Sequence, residues 1–152
     1  MGMYTEFHYN TELKKDIPEH ILDILRFMTG DKEGDPTELP DHPFFRTKRW
    51  RWLLTQDSYY FSADTHSTLR KDLIACKYVL CIRCNVKNYD DEIEHFINWM
   101  YPYIDKYDGD FLGFFRYEEN EVPVLIHKGW DYSKSYDGPL VEPLEERSER
   151  ES

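Results

Sequence analysis

Glycine is scarce in this 152-residue chain, at seven positions, and no glycine-rich phosphate loop or nucleophile elbow can be made from them. Cysteine is rarer still, at the three positions Cys76, Cys81 and Cys84. An odd count, with no N-terminal hydrophobic signal region, argues against a disulfide framework and makes a reducing cytoplasm the expected setting. Apolar runs are short, and none approaches the roughly 20 residues that cross a bilayer as a helix, so no membrane contact is expected. Basic residues are in deficit. Nineteen Lys and Arg stand against 30 Asp and Glu, a formal charge of −11, whereas contact with nucleic-acid backbone requires clustered cations. A basic protein partner, such as a nucleic-acid-binding host protein, suits this charge better than nucleic acid itself.

What the chain does have is apolar and aromatic material, 40% and 16% of its residues, which is too much for a disordered protein. A chain of this length buries roughly 68–70% of its unfolded surface, enough for one core. One domain is expected over residues 1–130. Residues 131–152 read as an irregular to disordered acidic tail, because residues 142–152 hold five Glu, two Arg and a single apolar residue, Leu144.

The hydrophobic period switches along the chain between two and three to four. Residues 3–10 alternate, with Met3, Phe7 and Tyr9 on one parity and Tyr4, Glu6 and His8 on the other, which predicts a strand. Asp16 before Ile17-Pro18-Glu19 marks a helix start, Ile21, Ile24, Leu25 and Met28 follow at helical spacing, and Gly30 ends the helix. Residues 31–43 carry Gly34-Asp35-Pro36 and Leu39-Pro40-Asp41 without periodicity and read as a long loop. Trp50, Trp52 and Leu54 alternate with Arg49, Arg51 and Leu53, predicting a strand that pairs, through a turn at Gln56-Asp57-Ser58, with residues 59–61. Residues 62–73 read as irregular.

Residues 77–87 form the clearest strand, with Tyr78, Leu80, Ile82, Cys84 and Val86 on one face. After the capping stretch Asn88-Tyr89-Asp90-Asp91, the spacing of Ile93, Phe96, Ile97, Met100 and Ile104 predicts a second amphipathic helix, closed at Asp108-Gly109. Residues 111–118 and 122–128 predict a hairpin. The connections are too short for a parallel sheet. The expected fold is α+β: a mostly antiparallel sheet of five to six strands with two helices packed on one face, its strand-helix-strand portions similar to those of ferredoxin-like folds.

Little in the chain points to catalysis, and no catalytic residue, cofactor site or metal site is assigned. Cys81 and Cys84 have C-x-x-C spacing, but from a strand they leave opposite faces and cannot chelate one ion. His66-Ser67-Thr68 matches the H-x-T element of two-histidine phosphoesterases, yet no other histidine supplies the second copy such enzymes require. Asp64, His66 and Ser67, adjacent in a loop, read as a polar turn.

Strand parity is more informative. Phe7, Trp50, Trp52, Leu80, Ile82, Phe115, Tyr117, Val124 and Ile126 take helix-facing positions. The other parity takes His8, Arg49, Arg51, Arg83, Arg116 and His127, interleaved with Tyr4, Leu53, Val79, Phe114 and Leu125. Such a face either binds an anionic group or acidic protein surface, or stands in water with its arginines opposite residues such as Glu6 and Glu118. The candidate binding residues are Arg51, Arg83, Arg116, His8, His66 and Phe114. The acidic clusters Asp31-Lys32-Glu33-Gly34-Asp35, Asp90-Asp91-Glu92 and Glu118-Glu119-Asn120-Glu121 read chiefly as solvated surface.

Leu39-Pro40-Asp41-His42-Pro43-Phe44-Phe45, Asp57-Ser58-Tyr59-Tyr60-Phe61, Cys81-Ile82-Arg83-Cys84-Asn85 and Asp110-Phe111-Leu112-Gly113-Phe114 together resemble small uncharacterised proteins encoded by bacteriophages and prophages. The resemblance covers residues 3 to about 127 and carries no catalytic signature. It implies a setting in the cytoplasm of a bacterial host, and an accessory factor that binds a host or phage macromolecule, inhibitors of bacterial immunity such as anti-CRISPR proteins included. The expected function is a non-enzymatic protein that occupies a partner's surface. The alternative is a nucleotide- or phosphate-binding protein or phosphoesterase that gathers Arg51, Arg83, Arg116 and His66 around a phosphate.

Overall fold

The computed structural model describes residues 4–58 and 64–132. Strands β1 (Thr5–Glu12), β2 (Thr68–Asp72), β3 (Lys77–Val86), β4 (Phe111–Tyr117) and β5 (Val124–His127) form one open sheet in the order β2-β3-β1-β4-β5, every neighbour antiparallel. Helices α1 (Glu19–Thr29) and α2 (Glu92–Met100) pack on one face, giving the two-layer α+β architecture. Because β3 and β4 both run opposite to β1, they run parallel to each other, and α2 makes the crossover that such a pair needs. The path from β1 to β4 is that of a ferredoxin-like sheet, to which β5 adds an edge strand.

The core lies between the helices and one parity of the strands. In β1, Thr5, Phe7, Tyr9 and Thr11 are buried while Glu6, His8, Asn10 and Glu12 reach solvent. Phe7 and Tyr9 meet Phe96 of α2 edge to face, at 6.0 and 5.8 Å between centroids, an arrangement aromatic quadrupoles favour. Ile21, Leu22, Ile24, Leu25 and Met28 supply the buried stripe of α1, and Gly30 ends that helix at φ 87°, its N–H bonding the carbonyls of Arg26 and Phe27. Asp16 does not cap the helix. Extended backbone at Pro18 precedes the first turn, without a side-chain cap.

Two sequence expectations change here, each for a local reason. The segment around Trp50 is a 3₁₀ turn (Trp50–Trp52), not a strand. Trp50, Leu53 and Leu54 are buried while Trp52 is 56% exposed, which is helical spacing, and five residues of W-R-W-L-L fit either period. Trp50 packs on Phe27, Phe44 and Phe45, and Phe44 on Phe96 and Trp99, so this segment fills the helical layer. The expected pairing partner, residues 59–61, lies outside the described residues. Conversely, β2 forms within the stretch read as irregular. Its sequence Thr-Leu-Arg-Lys-Asp has one apolar residue because it is an edge strand, paired among the described residues to β3 alone.

The packed domain runs past residue 130. Tyr132 is fully buried, its hydroxyl donating to the Leu125 carbonyl at 2.8 Å and accepting from the His127 N–H at 2.9 Å. The remainder of the expected tail, residues 133–152, lies outside the described residues.

Strand β4 passes close to β1 at Gly113, where φ is 156° and a Cβ would lie 1.9 Å from the His8 carbonyl oxygen. Gly113→Ala is expected to lower stability by about 3 kcal/mol or more, since backbone would have to move. Gly109→Ala, also at positive φ (94°) but with nothing within 4 Å, should cost only the left-handed strain of about 1–2 kcal/mol. Denaturant titration of both variants makes the comparison, and equal losses would mean that close approach is not what selects glycine at position 113.

Candidate functional site

Residues directly opposite one another on antiparallel strands project from the same face. On the helix-free face, His8 of β1 stands opposite Arg83 of β3 and Phe114 of β4, and Phe114 stands opposite Leu125 of β5. Just ahead of β2, His66 exchanges both backbone hydrogen bonds with Arg83, at 2.6 and 3.1 Å. One row therefore runs His66, Arg83, His8, Phe114, Leu125 across the sheet. The first four of these are residues singled out from the sequence.

The row changes character along its length. Arg83 is exposed, and its Nε donates to the Asp64 carbonyl at 2.7 Å, beside the exposed His66. The His8 ring stacks on Phe114 with centroids 4.5 Å apart and planes 14° from parallel. His8 Nε2 lies 3.7 Å from Glu6 Oε2. Burial lowers the His8 pKa and outweighs the carboxylate of Glu6, which raises it, while the charge of Arg83 lowers it further. The ring is thus neutral at neutral pH.

The other candidates stand apart. Arg116 lies one row away, opposite Glu6, with Nε donating to Glu6 Oε1 at 2.7 Å and Nη1 to the Asn120 carbonyl at 3.1 Å. Arg51 is off the sheet altogether, because the 3₁₀ turn lays its guanidinium over the Trp50 ring at 4.7 Å, with Nε 3.3 Å from Asp35 Oδ2. Arg49 also belongs to the helical layer, over the Tyr89 ring and beside the buried Glu92. Arg51, Arg83 and Arg116 hold separate partners and do not converge on one anion. Ser67 donates its hydroxyl to the Leu54 carbonyl at 2.6 Å, away from His66, so Asp64, His66 and Ser67 form no hydrolytic relay. Cys81 faces Thr68 and Asn10 on the open face, whereas Cys84 is buried opposite Phe7, where burial raises its thiol pKa. Among the described residues, no group of three or more His, Cys, Asp or Glu is placed to hold a metal ion.

The apolar margin of this face is what parity alone misses. The register of β4 on β5 shifts between Phe111 and Gly113, and one extra residue reverses which side chains face inward. Leu112 turns into the core, and Phe111, 58% exposed, joins Phe114 and Leu125, 49% exposed, on the open face. Phe111 meets the His127 ring at 5.7 Å, and His127 lies against Trp130 at 4.9 Å. Simple alternation from Phe115 places Phe111 in the core. The signal for the reversal is Gly113, since glycine inside a strand marks a bulge or a close approach.

Compared with known proteins, the chain matches no family model, no curated protein and no solved structure. The residues of the open face are therefore the ground for a functional reading.

Burial is the leading influence on His8, and the Phe114 ring stacked on it is one of the groups that cover it. A histidine whose folded pKa is lowered binds fewer protons folded than unfolded, so His8 makes the protein less stable as pH falls through the histidine range. In an NMR titration His8 is expected to have a midpoint below that of histidine in an unstructured peptide, and Phe114→Ala to move it upward. A wild-type midpoint at or above the peptide value would contradict this account.

Proposed function

We propose that this chain is a protein-binding domain that acts by occupying a partner's surface with the open face of its sheet. The observation that carries this reading is one face with an exposed guanidinium and imidazole, Arg83 and His66, at one end and exposed Phe111 and Leu125 at the other. No described helix or strand lies over it, and at its Asn85 end, where Asn85 is 2% exposed, the loop carrying Asp57 packs against it. Apolar side chains grouped on the surface of a soluble domain commonly mark contact sites, and aromatics near arginine are the material of interface hot spots. The partner inferred is a protein presenting a carboxylate next to an apolar ridge, the carboxylate taken by the planar fork of Arg83. The sequence resemblance supports a bacteriophage setting, in which the domain blocks a host-defence protein in the bacterial cytoplasm. That role requires no reacting group.

A second reading has one observation in its favour. His66 and His8 flank Arg83 at the strand spacing of about 4.8 Å, an arrangement that suits a phosphate or nucleotide. It ranks second because Arg51 and Arg116 are engaged elsewhere, with Asp35 and Glu6.

A photocrosslinking residue in place of Leu125, compared with one in place of the exposed Thr37, distinguishes the readings in bacterial cells expressing the chain. A discrete protein adduct is expected from position 125 alone, and its loss when Arg83→Glu and Phe111→Glu are combined. With the partner in hand, Arg83→Ala and Phe111→Ala should each weaken the complex at least tenfold, about 1.4 kcal/mol. ATP, inorganic phosphate and a single-stranded oligonucleotide should leave Tm unchanged. Equal adducts from both positions, or a ligand-induced rise in Tm that Arg83→Ala removes, would sink the protein-binding reading, the latter in favour of a ligand or nucleic-acid site.

A further inference from the structure

Beyond the open face, a cleft of about 230 Å³ lies between the start of α2 and the connection from β4 to β5. Its apolar lining includes Phe115, Val122 and Val124, with Tyr89 and Tyr117 alongside. That space is small for a nucleotide and suits a single extended side chain or a small amine.

Glu94 is the unusual member of the lining. It is only 7% exposed, and Asn88 donates an amide hydrogen to its Oε1 at 2.6 Å. A buried carboxylate is costly unless a cation or several donors meet it, and Asn88 is a neutral donor. Burial above all lifts its pKa to about 7, with Asp91 and Glu92 adding to the rise and the Asn88 amide opposing it. At the rim, burial above all raises the pKa of Tyr117, and Glu119 and Glu118, just beyond the end of β4, add to the rise. Arg116 also lines the cleft, but Glu6 balances its charge at 2.7 Å. Thr5 from β1 and Asn120 contribute neutral polar groups. With Glu6 balancing Arg116, the charge this lining offers a ligand is that of Glu94 once ionised, set among apolar side chains and bordered by phenol rings. Tyr89 already takes one cation, the Arg49 guanidinium, 5.1 Å from its ring centre.

We propose that this cleft binds an alkylammonium or guanidinium group, with the charge at the Glu94 carboxylate, the carbon stem against Phe115 and Val124, and Tyr89 and Tyr117 beside the head group. The group belongs either to a Lys or Arg side chain of a protein partner or to a free amine. This site does not depend on the open-face reading and can fail or succeed separately.

The test uses the full chain with carbon-13 valine methyls, two charged probes (n-butylammonium and the peptide acetyl-Ala-Lys-Ala-amide) and n-butanol as the uncharged control. Saturable shifts centred on the Val122 and Val124 methyls are expected from the charged probes. Binding of butylammonium without the peptide assigns the site to a free amine, and binding of the peptide assigns it to a partner's side chain. Affinity should rise about tenfold from pH 6 to pH 8 as Glu94 loses its proton, and Glu94→Gln should abolish that rise. Should Glu94→Gln fail to fold, Tyr89→Ala at its exposed position is expected to weaken both probes several-fold. The proposal is overturned by equal shifts from n-butanol, by no saturable shift from either charged probe, or by an affinity independent of pH.

Discussion

Because β1 is hydrogen-bonded along both edges, its two-residue period is imposed on β3 and β4 at once. Phe7 stands opposite Cys84 and Phe115 in the core, and His8 stands opposite Arg83 and Phe114 on the open face. The same register thus decides what is buried and what is presented. A slip of one residue would exchange the two sets, and burial of Phe7 alone, worth roughly 1.5–3 kcal/mol, resists it. Gly113 secures the register from the β4 side, since its lack of a side chain lets the His8 carbonyl approach as it does. The stacking of His8 on Phe114 is a product of that close fit.

How legible each element was depended on how long its period ran. Over the ten residues of β3 and the stripe of α1, the apolar pattern repeats often enough to exclude the alternative period. Around Trp50 it does not, so alternation carries Arg51 onto the sheet with its segment whereas the chain forms a 3₁₀ turn there. For His8, Arg83, Arg116 and Phe114 parity was sufficient to name the face, because each lies within a true strand. Parity could not say that Arg83, His8 and Phe114 share a row while Arg116 sits beside Glu6, since register is a relation between strands and no single segment contains it. Phe111 escaped for a related reason: the bulge before Gly113 is one extra residue, and everything beyond it inverts.

The acidic composition also resolves into separate roles. Glu19 and Asp23 bind Arg26, Glu12 and Asp105 meet Lys77, and Glu6 meets Arg116, so part of the negative charge is neutralised locally. In the cluster Asp90-Asp91-Glu92, the last residue is fully buried rather than solvated. The reason lies at the start of α2. Asp91 adopts a left-handed conformation, φ 56°, without capping the helix, and Asn88 Oδ1 accepts from the Ile93 N–H instead. Glu92 then accepts from the Asp90 N–H at 2.8 Å. Free N–H groups at a helix start favour carboxylates, which is how two glutamates come to be buried within one turn.

Arg116 links the two surfaces, since it lines the Glu94 cleft and pairs with Glu6, which in turn lies beside His8. The chain of contacts is short, and its strength can be bounded. The arginine and glutamate side chains are 29% and 14% exposed, so solvent screens their interaction, and pairs of this kind are worth about 1 kcal/mol or less. Neutral His8 adds little Coulombic coupling of its own. A cation in the cleft would therefore perturb the His8–Phe114 stack by less than the tenfold effect that about 1.4 kcal/mol produces. Two contacts that influence each other so weakly combine through a shared partner rather than through the protein interior: a protein seated on the open face and also placing a Lys or Arg in the cleft would gain affinity from their joint engagement, as tethered sites do.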